Sequence, residues 1–197
     1  MGSKTPRSAR QAVLESAIVE FAQRGYSGAS VQDILKATGL SKPTLYYYFQ
    51  SKAGLYRAIL DFAFDECLAR MQDAVAKARG TRGRLIAIAS ALFAFAKERP
   101  QLLRLVFASI FAAPEEIPAE CTDLDRRRRN WEYVKSVVAD ELEAGKLDER
   151  FSTTELTHGL YGAISHQTRM HLLCGEGKLD ENVAERVVDL FLNGATK

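Results

Sequence analysis

Long apolar runs and strand-like alternation are both missing from this 197-residue sequence. No apolar stretch reaches the about 18 residues that a membrane-spanning helix needs, and the polar residues 1–10 are followed by no apolar signal segment. We therefore expect no membrane association and a cytoplasmic location. Because no run alternates β-branched with polar residues, a β-sheet is not expected either.

Cysteine is scarce and scattered. The three cysteines stand at Cys67, Cys121 and Cys174, with no CxxC pair among them. An odd number of distant thiols indicates neither a disulfide framework nor a metal site, since zinc ligands cluster in the sequence. We expect these thiols to be buried or to have no functional role.

Catalytic signatures are missing as well. His158, His166 and His171 are spaced by eight and five residues, so one helix does not bring all three to one face, as it would ligands at i and i+4. No glycine-rich phosphate loop, GxSxG motif or carboxylate pair accompanies them. We expect a protein that is not an enzyme and needs no metal and no cofactor.

Charge is distributed unevenly along the chain. The first 57 residues carry eight Lys or Arg and three acids, a net charge of +5, which leaves −3 for the other 140 residues of a chain whose total is +2. A basic N-terminal segment on a mildly acidic body suits a polyanionic partner bound at one end.

Helical periodicity runs through almost the whole sequence. Leu14, Ile18 and Phe21 follow the i, i+4, i+7 pattern of one apolar helix face, and similar stripes recur along the chain. The pattern predicts an all-α protein of about nine helices, with Gly80 and Gly83 breaking the chain between the fourth helix and the fifth. The expected ranges are 8–23, 30–38, 41–49, 52–79, 84–99, 100–111, 124–142, 153–174 and 180–193.

The segment 30–49, SVQDILKATGLSKPTLYYYF, has the pattern of two short helices joined by a tight turn. Ser30 and Ser41 stand at the two N-cap positions, and Gly39 can adopt the positive φ that the turn requires. Leu45 and Phe49 share the face expected to pack inward. Two helices joined in this way form the geometry that places a recognition helix in the major groove of DNA.

With the preceding GYSGAS and the following SKAGLYRAIL, this motif resembles the TetR family, whose recognition helix reads Thr-Leu-Tyr-x-Tyr/His-Phe and is followed by a capped lysine. The resemblance covers about residues 8–60. It implies a three-helix helix-turn-helix DNA-binding domain over residues 7–67, with the motif at 30–49. It further implies a C-terminal helical ligand-binding and dimerisation domain over 68–197, in a homodimer that binds a roughly palindromic double-stranded operator.

The expected function is that of a sequence-specific transcriptional regulator. In its simplest form this is a repressor that a small apolar or amphipathic ligand, of unknown identity, releases from the operator. The alternative is a helical ligand-binding or interaction protein without specific operator recognition.

Cations, hydroxyls and flat rings are concentrated where the recognition helix would meet DNA. The residues that open this helix are expected at base edges, while the resemblance assigns phosphate contacts to Tyr46 and Tyr48. Tyr47 is expected to be half-buried. Gly54 stands where the family commonly has an acid, which predicts a softer start of the fourth helix. The predicted DNA-binding set is Ser30, Ser41, Lys42, Pro43, Thr44, Tyr46, Tyr47, Tyr48 and Lys52.

Two further residue sets are expected in the body, although ordinary core packing is the alternative for each large ring. The run 126–129 of four arginines reads as a solvated face, with an anionic-ligand contact or an interface pair as alternatives. The predicted ligand pocket consists of Phe64, Leu68, Met71, Phe93, Phe107, Phe111, Trp131 and Tyr161. The predicted dimer interface consists of Leu156, Leu160, Ala163, Gln167, Met170, Val187 and Phe191.

Overall fold

A computed structural model describes residues 8–113, 115–121 and 124–194, without the side chains of residues 120 and 124–127. Within these ranges the chain forms nine α-helices, a short 3₁₀ helix over Ala119–Cys121 and no strand, which confirms the predicted all-α class. None of the described helices is both long enough and apolar enough to cross a bilayer. The helices are α1 (Ala9–Gly28), α2 (Val31–Thr38), α3 (Lys42–Phe49), α4 (Lys52–Lys77), α5 (Gly80–Glu98), α6 (Pro100–Phe111), α7 (Leu124–Glu143), α8 (Thr153–Cys174) and α9 (Glu181–Asn193).

The described residues group into two compact units. The first contains residues 8–63 and the described part of 101–121, and the second contains residues 64–100 and 124–194. Helix α4 contributes its first half to one unit and its second half to the other. The predicted domains 7–67 and 68–197 differ from these units in placing α6 with the C-terminal part of the chain. They stay a prediction, because a compact group of contacts does not establish independent folding.

In the first unit, α1, α2 and α3 pack on one another around buried apolar side chains. The hydroxyl of Ser16 donates a hydrogen bond of 2.9 Å to the carbonyl of Ile34, which ties α1 to α2. Each fully buried Leu, Ile or Phe side chain stabilises the fold by about 1.5–3 kcal/mol relative to its exposed state. The buried side chains include Val13, Leu14, Phe21, Ile34, Leu45, Leu55 and Ile59.

In the second unit, the start of α5 is held against α7 and α9 by polar contacts. Arg84 and Thr81 donate hydrogen bonds of 2.5 Å to the two carboxylate oxygens of Glu141, which is itself only 6% exposed. Arg82 forms a two-pronged pair with Asp189, at 2.7 and 2.9 Å. A buried carboxylate with both oxygens bonded avoids the cost of an unpaired charge, so this end of the bundle is firmly fixed.

The predicted helix break at Gly83 is wrong. The interruption lies at residues 78–79, directly before Gly80 with its φ of +68°, and α5 runs through Gly83 without a break. Glycine costs a helix only about 1 kcal/mol relative to alanine. The bonds that Arg82 and Arg84 make on either side of Gly83 keep this turn helical.

The three thiols lie in different surroundings. Cys67 and Cys121 are buried, and the Cys121 thiol donates a 3.4 Å hydrogen bond to the carbonyl of Ala53. Burial raises the pKa of the Cys67 thiol to about 12. Cys174, the last residue of α8, is exposed.

We expect a single fast-reacting thiol in the native protein. At pH 8 a pKa of about 12 in place of 9 leaves Cys67 with about a thousandfold less thiolate, the reactive form. Titration with a disulfide reagent should label one cysteine quickly in the native state and three after denaturation. The Cys174→Ser variant should lose the fast phase, and a fast phase that survived in it would contradict the assignment.

Candidate nucleic-acid interface

The predicted helix-turn-helix is confirmed by the geometry of residues 30–49. Helix α2 ends at Gly39, which adopts the left-handed φ of +67° and donates its N–H to the carbonyl of Leu35 at 3.0 Å. Ser41 then begins α3, and its hydroxyl accepts the N–H of Thr44 at 3.4 Å. The turn is therefore closed by a glycine on one side and a serine cap on the other.

Helix α3 has a packed side and an open side. Leu45 is fully buried and Phe49 is 5% exposed, as predicted, whereas Tyr46 and Tyr48 are 38% and 40% exposed. The prediction of a half-buried Tyr47 is wrong, since its ring is 81% exposed. A rotation of about 100° per residue places Tyr47 about 200° away from Leu45, on the opposite side of the helix.

The hydroxyls at the start of α3 mainly serve the helix itself. The Ser41 and Thr44 hydroxyls lie 2.9 Å apart, within hydrogen-bonding distance, and Thr44 is only partly exposed. Lys42 is exposed, and its ammonium lies 5.7 Å from the centroid of the Tyr46 ring. Lys42 and Tyr47 are therefore exposed cationic and aromatic side chains of the predicted set on this helix.

Lys52 is anchored rather than free. Its ammonium lies 4.6 Å from the ring centroid of Tyr26 and donates a 3.4 Å hydrogen bond to the carbonyl of Ser27. Partial burial lowers its pKa. Tyr26 in turn packs edge-on against Tyr56, with ring centroids 5.2 Å apart. Lys52 thus ties the C-terminal end of α1 to the start of α4, a role that its sequence position did not reveal.

The turn between α3 and α4 is strained at Gln50. This non-glycine residue has φ +64° and ψ −38°, and the Ser51 N–H donates to the Phe49 carbonyl at 2.7 Å across it. A hydrogen bond from residue i+2 to residue i with a positive central φ defines a γ-turn of the rare, strained hand. This turn sets the direction in which the chain leaves the recognition helix.

Gly54 lies directly against this turn. The Ser51 hydroxyl accepts its N–H at 2.8 Å, so the cap of α4 is formed without the family's acid, and the predicted softness of this start has no counterpart in the hydrogen bonding. A Cβ at Gly54 would overlap the carbonyl oxygen of Phe49. Gly54 is needed because the backbone of the turn occupies the space of a side chain.

Replacing Gln50 with glycine should stabilise the first unit by about 0.5–1 kcal/mol. The positive φ costs an L-residue about 1–2 kcal/mol, and part of that gain is offset by the greater freedom of glycine in the unfolded chain. Chemical denaturation followed by circular dichroism measures the effect. Gln23→Gly is the control: this exposed residue lies in regular helix, so the substitution should destabilise by a similar amount. The same sign for both variants would contradict a strained turn.

Arg10 is a cation that the sequence-based set omitted. It lies in the first turn of α1, and its guanidinium is 5.3 Å from the centroid of the Phe49 ring. Arg10 therefore stands at the C-terminal end of the recognition helix. Only its place in the basic N-terminal segment could have indicated it, because α1 and α3 are far apart in sequence.

The predicted pocket residues have unequal burial. Met71 and Phe93 are almost fully buried, Phe64 is 9% exposed, and Phe111 is 68% exposed. Leu68 lines a groove in the second unit. Among the described residues, no three His, Cys, Asp or Glu side chains are grouped as metal ligands would be. The pocket set stays a prediction.

Two members of the predicted dimer interface need correction. Leu160 is fully buried and Val187 is 8% exposed within the single chain, so neither is available at the centre of an interface with a second chain. Helices α8 and α9 carry apolar residues on more than one face, and the sequence does not indicate which face the chain itself covers. Leu173 and Leu190, at 61% and 58%, are the exposed apolar residues on these helices.

A three-helix core whose third helix is packed on one side, open on the other and joined to the second by a glycine turn defines a helix-turn-helix protein. Residues 13–59 match the family described as bacterial regulatory proteins, tetR family. The chain is 33% identical over 130 residues to the transcriptional activator FasR of Mycolicibacterium smegmatis, covering 62% of this chain and 59% of FasR. It is 44% identical over 61 residues to the transcriptional repressor ComR of Escherichia coli, covering 31% of this chain and 29% of ComR. The N-terminal segment of the chain is thus similar to bacterial regulatory proteins of the tetR family, and the similarity to FasR continues beyond it.

Likeness to a solved structure extends over nearly the whole chain. FadR from Bacillus subtilis, in complex with stearoyl-CoA, superposes with a TM-score of 0.82 at 15% identity, covering 94% of this chain and 98% of FadR. At that identity the likeness concerns the fold. The chain spans less than two-thirds of the length of FasR and of ComR. FasR, ComR and FadR are each named as regulators of transcription.

Proposed function

We propose that the protein is a DNA-binding transcriptional repressor acting at a palindromic operator in the cytoplasm. The observation that carries the proposal is the open side of α3, where Lys42 and Tyr47 are exposed on a helix whose other side is packed. Exposed rings and cations add little to stability, whereas DNA offers partners to both. FasR is named an activator and ComR a repressor; we favour repression because steric occlusion of a promoter needs no further contact with the transcription machinery.

A gel-shift titration with the region upstream of the chain's own gene tests the proposal. Specific binding should lie at or below about 10⁻⁸ M at physiological salt, and unlabelled copies of the same fragment should compete far better than unrelated DNA. Affinity should fall steeply with salt, because phosphate contacts release counterions. Equal affinity for all fragments would instead favour a helical ligand-binding or interaction protein without operator recognition.

The proposed repressor is a homodimer through the outward faces of α8 and α9. Leu173 and Leu190 supply exposed apolar surface there, and Gly162 is an exposed small residue on α8. A two-fold axis would present two copies of α3 to successive major grooves, about 34–36 Å apart, so each half of the operator repeats the other.

Replacing Gly162 with alanine tests this interface. Nothing lies within 4 Å of a Cβ at this position in the single chain, so the helix itself should gain about 0.5–1 kcal/mol. If a second copy packs its backbone there, the methyl group should weaken the dimer by about tenfold, as overpacking of a close contact does. Sedimentation over a concentration series measures the dissociation constant.

Gly83→Ala is the matched control, because Gly83 is also helical with nothing within 4 Å of its Cβ but lies on α5. It should stabilise the fold and leave the dimer unchanged. An unchanged dimer in Gly162→Ala would place the interface elsewhere, and a monomer in the unsubstituted protein would rule out dimerisation.

The proposed effector is a small apolar or amphipathic molecule that binds in the second unit. Helix α4 continues from the first unit into the second, so a ligand that shifted its second half would act on the element that follows the recognition helix. Because FadR of similar fold was solved with stearoyl-CoA, long-chain acyl compounds are the first candidates. Emission of Trp131, the only tryptophan, should change saturably at the ligand concentration that releases DNA.

Met71→Ala offers a sharper version of the same test, since Met71 is fully buried on α4. A ligand that packs against this side chain should lose affinity, and the midpoints for Trp131 emission and for DNA release should shift together. Unshifted midpoints with a silent Trp131 would place the pocket away from these residues.

A further inference from the structure

A surface groove of the second unit lies between α4 and α7. It is open to solvent along most of its length and has a volume of about 470 Å³, enough for a small molecule that stays partly exposed. Its lining combines an apolar side chain, a phenol ring and several hydrogen-bonding groups. The lining residues are Leu68, Gln72, Arg128, Arg129, Glu132 and Tyr133.

The two walls of the groove are joined by one ion pair. Nη2 of Arg129 on α7 lies 2.6 Å from Oδ1 of Asp65 on α4. Asp65, Leu68 and Gln72 follow i, i+3, i+7 spacing, so they share the face of α4 that borders the groove. The pair therefore stands on the same face as the groove residues of α4.

This ion pair is easily exchanged. Its side chains are 45% and 57% exposed, and exposed pairs of this kind contribute little to stability. Arg128, the neighbouring cation, is 67% exposed, and its contact with Glu132 is a loose one of 4.0 Å. Two adjacent guanidinium groups thus line one groove, and the ion pair of neither contributes much to the stability of the fold.

We propose that this groove binds a small amphipathic anion. The acid group of the ligand bonds Arg128 and Arg129, because the planar guanidinium fork matches carboxylate and phosphate oxygens. The apolar part lies on Leu68 and the ring of Tyr133. Arg129 exchanges the carboxylate of Asp65 for the acid of the ligand, which unties α4 from α7 at this point. The proposal assigns the effector a negative charge and a binding site between α4 and α7. Only the link from binding to the release of DNA rests on the proposed function.

The charges around the groove lead to an unusual expectation. Asp65 competes with the ligand for Arg129 and repels it, while Glu132 repels it from beside Arg128, so removing the Asp65 carboxylate should strengthen binding. Removing either arginine should weaken it. A nonspecific apolar association would respond to neither change.

Calorimetric titration of the full chain tests the proposal, with decanoate, decyl phosphate and 1-decanol as probes. At least one of the two anions should bind at least about tenfold more tightly than the neutral alcohol. The anion with the higher affinity identifies whether the groove prefers a carboxylate or a phosphate head. Arg128→Gln and Arg129→Gln should each weaken that anion by about tenfold, and Asp65→Asn should tighten it about threefold or more.

Asp148 and Arg150 provide matched controls, since they form an exposed pair of the same 2.6 Å length outside the groove. Asp148→Asn and Arg150→Gln should leave binding unchanged. Circular dichroism confirms that each variant is folded. The proposal is overturned if neither anion binds, if the alcohol binds equally well, if the arginine variants bind normally or if Asp65→Asn weakens binding. These outcomes are independent of the gel shift, so a failed operator assay and a failed groove are told apart.

Discussion

Replacing both Lys42 and Tyr47 with alanine should weaken operator binding by about 2–4 kcal/mol, on the order of 30- to 1,000-fold in Kd. Lys42 is exposed at the first turn of α3, and the Tyr47 ring is 81% exposed on the same helix. Each can donate a hydrogen bond to a base edge or a phosphate, and Lys42 adds the one positive charge of α3. Fluorescence anisotropy with the operator fragment measures the loss.

The control is Lys77→Ala, which removes an exposed lysine from the second unit, where it pairs with Asp73 at 2.6 Å. Affinity should stay unchanged in this variant. Tyr46→Phe and Tyr48→Phe remove only hydroxyls expected at phosphates, so they should weaken operator and unrelated DNA alike. Full operator affinity in a folded variant with alanine at both Lys42 and Tyr47 would contradict the assignment of α3 as the recognition helix.

Replacing Gly54 with alanine should destabilise the first unit by about 1–3 kcal/mol, the usual range for an added group without room. The new Cβ would overlap the carbonyl oxygen of Phe49, a backbone atom that cannot rotate away. Either the γ-turn opens or α4 shifts at its start. Both responses should also weaken operator binding, because Phe49 ends the recognition helix.

The sign of this effect is what makes it informative. Alanine in place of a helical glycine normally stabilises by about 0.5–1 kcal/mol, as expected for the control Gly83→Ala. Urea denaturation of the two variants side by side should therefore show opposite shifts. Stabilisation of Gly54→Ala would mean that the turn relaxes freely and that Gly54 has no packing role.

The helix-turn-helix of this protein could be predicted because its caps and its turn depend on local chemistry. Ser30, Gly39 and Ser41 each act on backbone groups within three or four residues, so their caps and the turn could be expected from the sequence alone. The spacing of Leu45 and Phe49 fixed the packed side of α3 in the same way. Such signals depend on neighbours in the chain, which the sequence contains.

Contacts between distant segments could not be predicted. The burial of Leu160 and Val187 depends on which face of α8 and α9 the rest of the second unit covers. The helical state of Gly83 depends on Arg82 and Arg84 finding acidic partners more than fifty residues away. At Gly83 the tertiary contacts need to offset only about 1 kcal/mol of helix preference.

The turn at Gln50 and Gly54 has a consequence for how this sequence can vary. The two positions are linked through the Phe49 carbonyl, which a side chain at 54 would overlap and which accepts the hydrogen bond that closes the turn at Gln50. Substitutions at the two sites should therefore be strongly non-additive, as expected for residues that share one backbone arrangement. Relatives with a bulkier residue at the position of Gly54 should differ at the position of Gln50 as well, with residues that favour negative φ. Proline, with φ fixed near −65°, would suit that second arrangement and exclude the first.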